Sequence, residues 1–429
     1  MNGRTPVLLA FMFFFISCGP EQSSPEAPQA RLSATIEPGD IRTHIQFLAS
    51  DSLRGRATGT AGEAIAANYI ADAFNQFGIA PLGEDDTYFQ PFTVTTDHLH
   101  NPPQGDTSRQ RERPLLSRNV VGIINGSEEP DSYMIIGAHY DHLGTGGYGS
   151  LANRRRNQIH NGADDNASGT AGILELAQYF SVNSPRKSLV FVAFSGEEIG
   201  LLGSQHFVDQ LPVPAEQVEA MINLDMIGRL QDNKLLIFGT GSAERWEQLI
   251  AEANTDSLQI ETSADGTGAS DHTSFYNKQI PVLHYFTGTH GDYHRPTDDA
   301  GQINYDGQDK VLEHVRRVIQ QLDKPGSELT FTEVPASEQQ KGISMKGVTL
   351  GVTPDYGFDG TGMRITGVNA GGPAGRAGLR SGDVIIKLDG QPLKDIYEYM
   401  EILGGLEEGE TGTVTVQRGE EELTLDIRF

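Results

Sequence analysis

Cysteine is almost missing from this chain: Cys18 is the only one in 429 residues. No disulfide can therefore form within it. Positive charge is scarce as well, with 32 Lys and Arg against 58 Asp and Glu and a formal net charge of −26. Nucleic-acid binding needs a basic face, so that class is disfavoured. The acidic balance fits a self-repelling surface and says little about fold. Long apolar runs are lacking too. The one conspicuous stretch, "VLLAFMFFFI" from Val7 to Ile16, is too short to span a bilayer. No internal repeat is visible.

What that stretch does fit is the apolar region of a secretory signal behind Arg4. Ser17 and Cys18 follow directly. A lone cysteine where cleavage should fall is the pattern of a lipoprotein signal, with residues 1–18 as the signal and Cys18 as the lipidated residue. The plainer alternative is secretion with an incidental cysteine. Either way the expected location is the cell envelope, periplasmic or outer surface, with the lipid as the membrane contact. Residues 19–35, polar and rich in Pro and Ser, read as a flexible tether.

From 36 to 325 helical and strand patterns alternate. "TAGEAIAANYIADAFNQFG" has apolar residues at helical spacing and ends on glycine. "SYMIIGA", "SLVFVAF", "EAMINL", "KLLIFG" and "PVLHYF" are continuous apolar runs with helical patterns between several of them. Such runs predict an α/β fold with a mostly parallel central sheet and helices on both faces. Residues 326–341 read as a linker. From 342 to 429 short strands and Gly turns predict a small, mostly β domain.

In open α/β sheets ligands bind beyond the carboxyl ends of the strands. "MIIGA" runs into His139 and Asp141, "VFVAFSG" into Glu197 and Glu198, and "AMINL" into Asp225. "HNGADDN", with Asp164 and Asp165 among small residues, leads into a helix. His294 follows the last strand. Alone, each has a bland reading: a histidine after a strand is usually structural, and a glutamate pair is usually solvated. Their joint placement is what carries weight. Two imidazoles and three carboxylates suit two zinc ions. Such pairs sit about 3.5–4 Å apart and activate a shared water. Glu197 and Glu198 are consecutive, so one can bind metal while the other faces the water as a base. Asp141, two residues past His139, is placed to orient its ring. His142, His160, His206, His284 and His290 also crowd this region and are not assigned. Ser270 and Asp271 either cap a helix or line the cleft.

"AHYDH", "GADDNASG", "FSGEEIGLLGS", "NLDMIGR", "SDHTSF" and "DYHRPTDD" resemble, in order, the motifs of the two-zinc aminopeptidase family. Glutamate carboxypeptidase II and glutaminyl cyclase are relatives of that family. The resemblance covers roughly residues 40–322. It implies that His139 and Asp225 bind one zinc, Glu198 and His294 the other, and that Asp165 bridges them. Asp164 is then a neighbour. Glu197 falls on the general base and Tyr293 on a tyrosine that helps hold the oxyanion. The chain departs from the family in a Gly-rich loop carrying Arg154, Arg155 and Arg156. That loop either attracts a peptide carboxylate or is simply solvated.

"TLGV" and "AGLRSGDVIIKLDG" make the last segment similar to PDZ domains of bacterial proteases. Leu350, Gly351 and Val352 would form the turn that receives a C-terminal carboxylate, with the helix from Asp395 to Leu403 as the other wall. The partner is a C-terminal peptide or an intramolecular contact. The expected activity is removal of N-terminal residues from peptides. The alternatives are a carboxypeptidase or dipeptidase on the same site, and a PDZ-based binding protein with an inactive peptidase scaffold.

Overall fold

The computed structural model describes residues 33–94, 114–146, 149–152, 157–334, 350–354, 360–368, 372–394, 396–403, 406, 409–419 and 421–429. The signal segment, Cys18, most of the tether and Arg154, Arg155 and Arg156 lie outside them.

The first unit runs through α1 (Pro38–Leu48), α2 (Ala61–Gln76), β1 (Ala80–Pro81), β2 (Phe89–Val94), β3 (Leu115–Ile124) and β4 (Glu129–His139). It continues with α3 (Gly169–Val182), β5 (Lys187–Phe194), α4 (Leu202–Asp209), β6 (Val218–Leu224), β7 (Lys234–Phe238) and α5 (Trp246–Ala253). β8 (Gln259–Ser263), α6 (His272–Tyr276), β9 (Val282–Phe286) and α7 (Tyr305–Leu322) complete it. The strands form a nine-stranded sheet in the order β1-β3-β5-β4-β6-β9-β7-β8, with β2 paired to β3. Its centre, β5-β4-β6-β9, is parallel, as the continuous apolar runs predict.

Every residue of β5 is buried. Leu189, Phe191 and Ala193 face one layer of core, and Val190, Val192 and Phe194 the other. This is the two-residue period of a strand with both faces covered. The larger layer holds α1, α2, α3, α5 and α7; the smaller holds residues of α4 and α6. Truncating a wholly buried Phe191 to Ala would cost about 3–5 kcal/mol. α7 lays Val311, Val315, Val318 and Leu322 on the core at helical spacing, and its N-cap Asn304 accepts from the Gly307 amide at 3.0 Å.

The segment after α7 does not leave the unit at once. Val334 is 2% exposed, and its amide donates to the Tyr276 hydroxyl at 2.9 Å. Phe331 packs on the same ring.

The second unit comprises β10 (Val352–Pro354), β11 (Met363–Val368), α8 (Pro373–Ala377), β12 (Val384–Leu388), β13 (Gln391–Pro392), α9 (Ile396–Leu403), β14 (Thr411–Arg418) and β15 (Glu421–Arg428). Its strands pair antiparallel in the order β10-β11-β12-β14-β15, with β13 on β12. Leu350, Ile365, Ile385, Leu388, Val414 and Val416 build a separate core.

Candidate metal centre

Parallel strands bring their carboxyl ends to one edge, and the chemistry collects there. β4 ends on His139, β5 leads to Glu197 and Glu198, β6 to Asp225, and β9 to the loop carrying Tyr293 and His294. The loop before α3 supplies Asp165. It starts at Gly162 with φ +55°, where a Cβ would stand 2.1 Å from the Asp165 carbonyl oxygen. Only glycine fits that approach.

Asp165 lies between two imidazoles. Its Oδ1 is 3.4 Å from His139 Nε2, and its Oδ2 is 3.1 Å from His294 Nε2. His139 Nε2 is also 3.4 Å from Asp225 Oδ1, and His294 Nε2 is 3.3 Å from Glu198 Oε2. All of the residues assigned to metal from sequence therefore come together. Asp164, beside Asp165 in the chain, turns away. Its Oδ1 accepts from the Gly228 amide at 2.7 Å, and its Oδ2 is 3.1 Å from His290 Nε2. The Asp298 carboxylate accepts from the amides of Asp164 at 3.0 Å and Asp165 at 3.1 Å, which pins the loop.

The remaining nitrogens decide the tautomers. His294 Nδ1 is 2.8 Å from the Gly149 carbonyl, so it carries the proton and leaves the Nε2 lone pair for the site. His139 Nδ1 is 3.3 Å from the Asp141 carbonyl and 3.8 Å from its carboxylate. That carboxylate is engaged elsewhere. It accepts from the Thr58 hydroxyl at 2.7 Å and from the Glu197 amide at 3.3 Å. Asp141 thus fixes the backbone that carries Glu197. The Tyr293 ring stacks on His294 with centroids 3.9 Å apart, beside Met226, Leu236 and Phe286. Burial, reinforced by Asp165 and Glu198, holds its hydroxyl well above the usual range, so it stays a donor. Asp271 stands at the start of α6 without capping it, and Ser270 donates to Asp225 Oδ2 at 2.6 Å.

Electrostatics asks for cations here. Burial would raise every carboxylate, yet His139 and His294 hold Asp165 well below the usual range. Burial likewise opposes ionisation of Glu198, but His294 and His142 bring it down to about 2. Glu197 goes the other way. Burial, then repulsion from Glu198, Asp271 and Asp225, raises it well above the usual range against the pull of His139. The Arg56 guanidinium is 1% exposed and spends its hydrogen bonds on the carbonyls of Leu48, Tyr140, Asn161 and Gly162. It ties the strand end to the Asp165 loop, and its charge still acts on Asp141, Asp165, Asp298 and Glu198 from behind. His139, Asp165 and Asp225 each offer a ligand atom within 4.8 Å of one another, and so do His142, Asp165 and Glu198. This imidazole and carboxylate donor set fits zinc.

Two of these neighbours were not assigned from sequence. His142 is 1% exposed, with Nδ1 2.5 Å from Glu198 Oε1. Its only sequence signal is the three-residue spacing from His139. Nothing in the sequence marks Arg56.

Residues 119–319 match the model of peptidase family M28, and residues 341–429 that of a PDZ domain. The fold is that of a zinc aminopeptidase from Bacillus subtilis, with a TM-score of 0.54 at 18% identity over 71% of this chain and 100% of that one. A probable zinc metalloprotease of Pyrenophora tritici-repentis is 31% identical over 217 residues, 49% of this chain and 42% of that one. The aminopeptidase YwaD of Bacillus subtilis is 27% identical over 232 residues, 52% of this chain and 46% of that one. The chain thus spans under half the length of these two curated relatives. The class is a zinc aminopeptidase-like α/β unit followed by a PDZ domain. The match to peptidase family M28 is confined to residues 119–319, somewhat under half of the chain.

Proposed function

We propose that the first unit is an aminopeptidase that works through two zinc ions. The observation that carries this reading is Asp165, whose two oxygens face different imidazoles. His139 and Asp225 would hold one ion, Glu198 and His294 the other, with Asp165 serving both. His142 then donates to Glu198 and keeps that carboxylate in place. Bound there, zinc supplies Lewis-acid polarisation of the scissile carbonyl and lowers the pKa of water.

The protein supplies the rest. Glu197 takes the proton of the attacking water and passes it to the leaving amine. The Tyr293 hydroxyl donates to the developing oxyanion. The carboxylates of Glu197 and Asp225 receive the free amine of the substrate, which selects a peptide's first residue. The names of the relatives, an aminopeptidase and a zinc metalloprotease, agree with this reading.

Metal analysis together with a panel of aminoacyl chromogenic substrates tests it. About two zincs per chain and release of N-terminal residues are expected. Release of C-terminal residues instead would mark a carboxypeptidase. Peptide binding by the PDZ domain with no hydrolysis would mark an inactive scaffold. We also infer a lipid anchor at Cys18 and a place in the cell envelope. Cys18→Ala should then abolish membrane association, and a wild type without lipid mass would refute the anchor.

A further inference from the structure

Asp225 offers Oδ1 to His139, at 3.4 Å, and gives Oδ2 to the Ser270 hydroxyl, at 2.6 Å. The chain of contacts does not stop at Ser270. Asn223 Nδ2 is 2.8 Å from Ser270 Oγ and 3.1 Å from His284 Nδ1. Asn223 and His284 are register partners on the adjacent parallel strands β6 and β9, so backbone pairing holds the two side chains together. Asn223 is fully buried, Ser270 is 1% exposed and His284 8%.

Counting protons fixes the direction of every bond. A carboxylate that gives one oxygen to a metal has only acceptor positions left on the other. Ser270 must therefore spend its single hydrogen on Asp225, and its oxygen can only accept from Asn223. The amide nitrogen of Asn223, not its oxygen, must face Ser270. That nitrogen has a second hydrogen, and it points at His284 Nδ1. Nδ1 is then an acceptor, and the imidazole proton sits on Nε2. A neutral ring suits the place: His284 stacks on His272 with centroids 4.4 Å apart and planes 6° from parallel. Burial also pushes His284 down to about 4.

We propose that Asn223 and His284 are positioning residues for one metal ion. Through Ser270 they lock the Asp225 carboxylate so that it presents Oδ1 alone beside His139. Without the His284 acceptor, one amide hydrogen of Asn223 is buried and unpaired, the amide is free to turn, and Ser270 loses its fixed direction. Orientation of a ligand from behind is worth roughly 10–100-fold in metal affinity. The inference rests on the two-zinc reading above and adds a part of the chain to it.

The test uses the full-length protein and zinc alone as the probe. In protein labelled with 15N-histidine, His284 should show the proton on Nε2 with Nδ1 bare. In competition against a chelating indicator, Asn223→Leu and His284→Phe should each weaken one zinc by roughly 10–100-fold and spare the other. His284→Asn, whose amide oxygen can take the place of Nδ1, should restore most of the loss. Thermal melts check folding, and if Asn223→Leu fails to fold, the two His284 variants decide. A proton on Nδ1, or zinc affinities in folded variants that stay within about twofold of wild type, would overturn the inference. A wild type that binds no second zinc would instead sink the two-zinc reading, and the tautomer measurement would still stand.

Discussion

Asp165 and Glu175 sit at the two ends of one piece of chain, the metal-site loop and the interior of α3. Both are buried, at 3% and 1% exposure. Their environments resolve the burial in opposite ways. Asp165 faces His139 and His294, which hold it ionised. Burial, with Asp40 and Glu37 nearby, pushes Glu175 up to about 8, so it keeps a proton at neutral pH. Its neighbour His44, 3.6 Å away, is itself lowered to about 4 by burial. Glu63 shows a third solution, accepting hydroxyls from Ser117, Tyr140 and Ser195 at 2.6, 2.8 and 3.0 Å. A buried acid is thus no mark of a metal site. What counts is whether imidazoles and further acids converge on it.

The largest expected effect breaks the acid side of this comparison by one proton-accepting group. Glu197→Gln keeps the shape and, on the proposed mechanism, removes the general base. kcat should fall roughly 10²–10⁴-fold, or about 3–5 kcal/mol of barrier, while both zincs stay. Glu198→Gln should do less to the chemistry and more to the metal. On the proposed two-zinc reading it replaces an anionic ligand with a neutral amide, so one zinc should be lost and partly regained in excess zinc. Kinetics and metal content of both variants check this, and the swapped pattern would exchange the two roles.

Chelation comes next. Stripping zinc leaves Asp165, Glu197, Glu198 and Asp225 close together without a cation, so the melting temperature should drop. The Glu175→Gln variant should drop by the same amount, since its acid needs a proton and no metal. An unchanged melt after complete zinc removal would show that the acids are compensated some other way.

That acids and imidazoles would gather at strand ends was legible from sequence, because a parallel sheet sends its carboxyl ends to one edge and each apolar run there is followed by a charged residue. The order of motifs did the rest. Less legible was what points away from the site. Asp164 and Asp165 look alike in composition and spacing; the family resemblance tells them apart, and in the structure Gly228 and His290 hold the Asp164 carboxylate away from the site. His142 lacked a pattern of its own. Asp141 does lie behind His139, its carbonyl 3.3 Å and its carboxylate 3.8 Å from Nδ1, but that carboxylate also accepts from Thr58 far earlier in the chain and Glu197 far later, which no local pattern announces. The linker was expected from 326, yet Phe331 and Val334 lie on Tyr276, a contact that no local composition announces.

The smallest effect isolates the proton in α3. Folded Glu175 keeps its proton to about pH 8, whereas a glutamate in the unfolded chain loses it near about 4.3. Folding therefore takes up a proton in between, and this group's contribution to stability falls as pH rises from about 4.3 to about 8. His44 acts in the other direction. Its folded value of about 4 lies below the ordinary about 6.5, so its contribution is lost as pH falls across that window. Glu175→Gln mimics the protonated form at every pH. Below about pH 4.3, where the unfolded chain is protonated as well, the variant and wild type should melt together. Toward pH 8.5 the variant should pull ahead by an amount on the order of 2–4 °C for each kcal/mol relieved. Melts of both proteins across that range, in saturating zinc, measure the gap. Parallel curves would mean that Glu175 ionises in place like an ordinary glutamate, and the contrast with Asp165 would then rest on geometry alone.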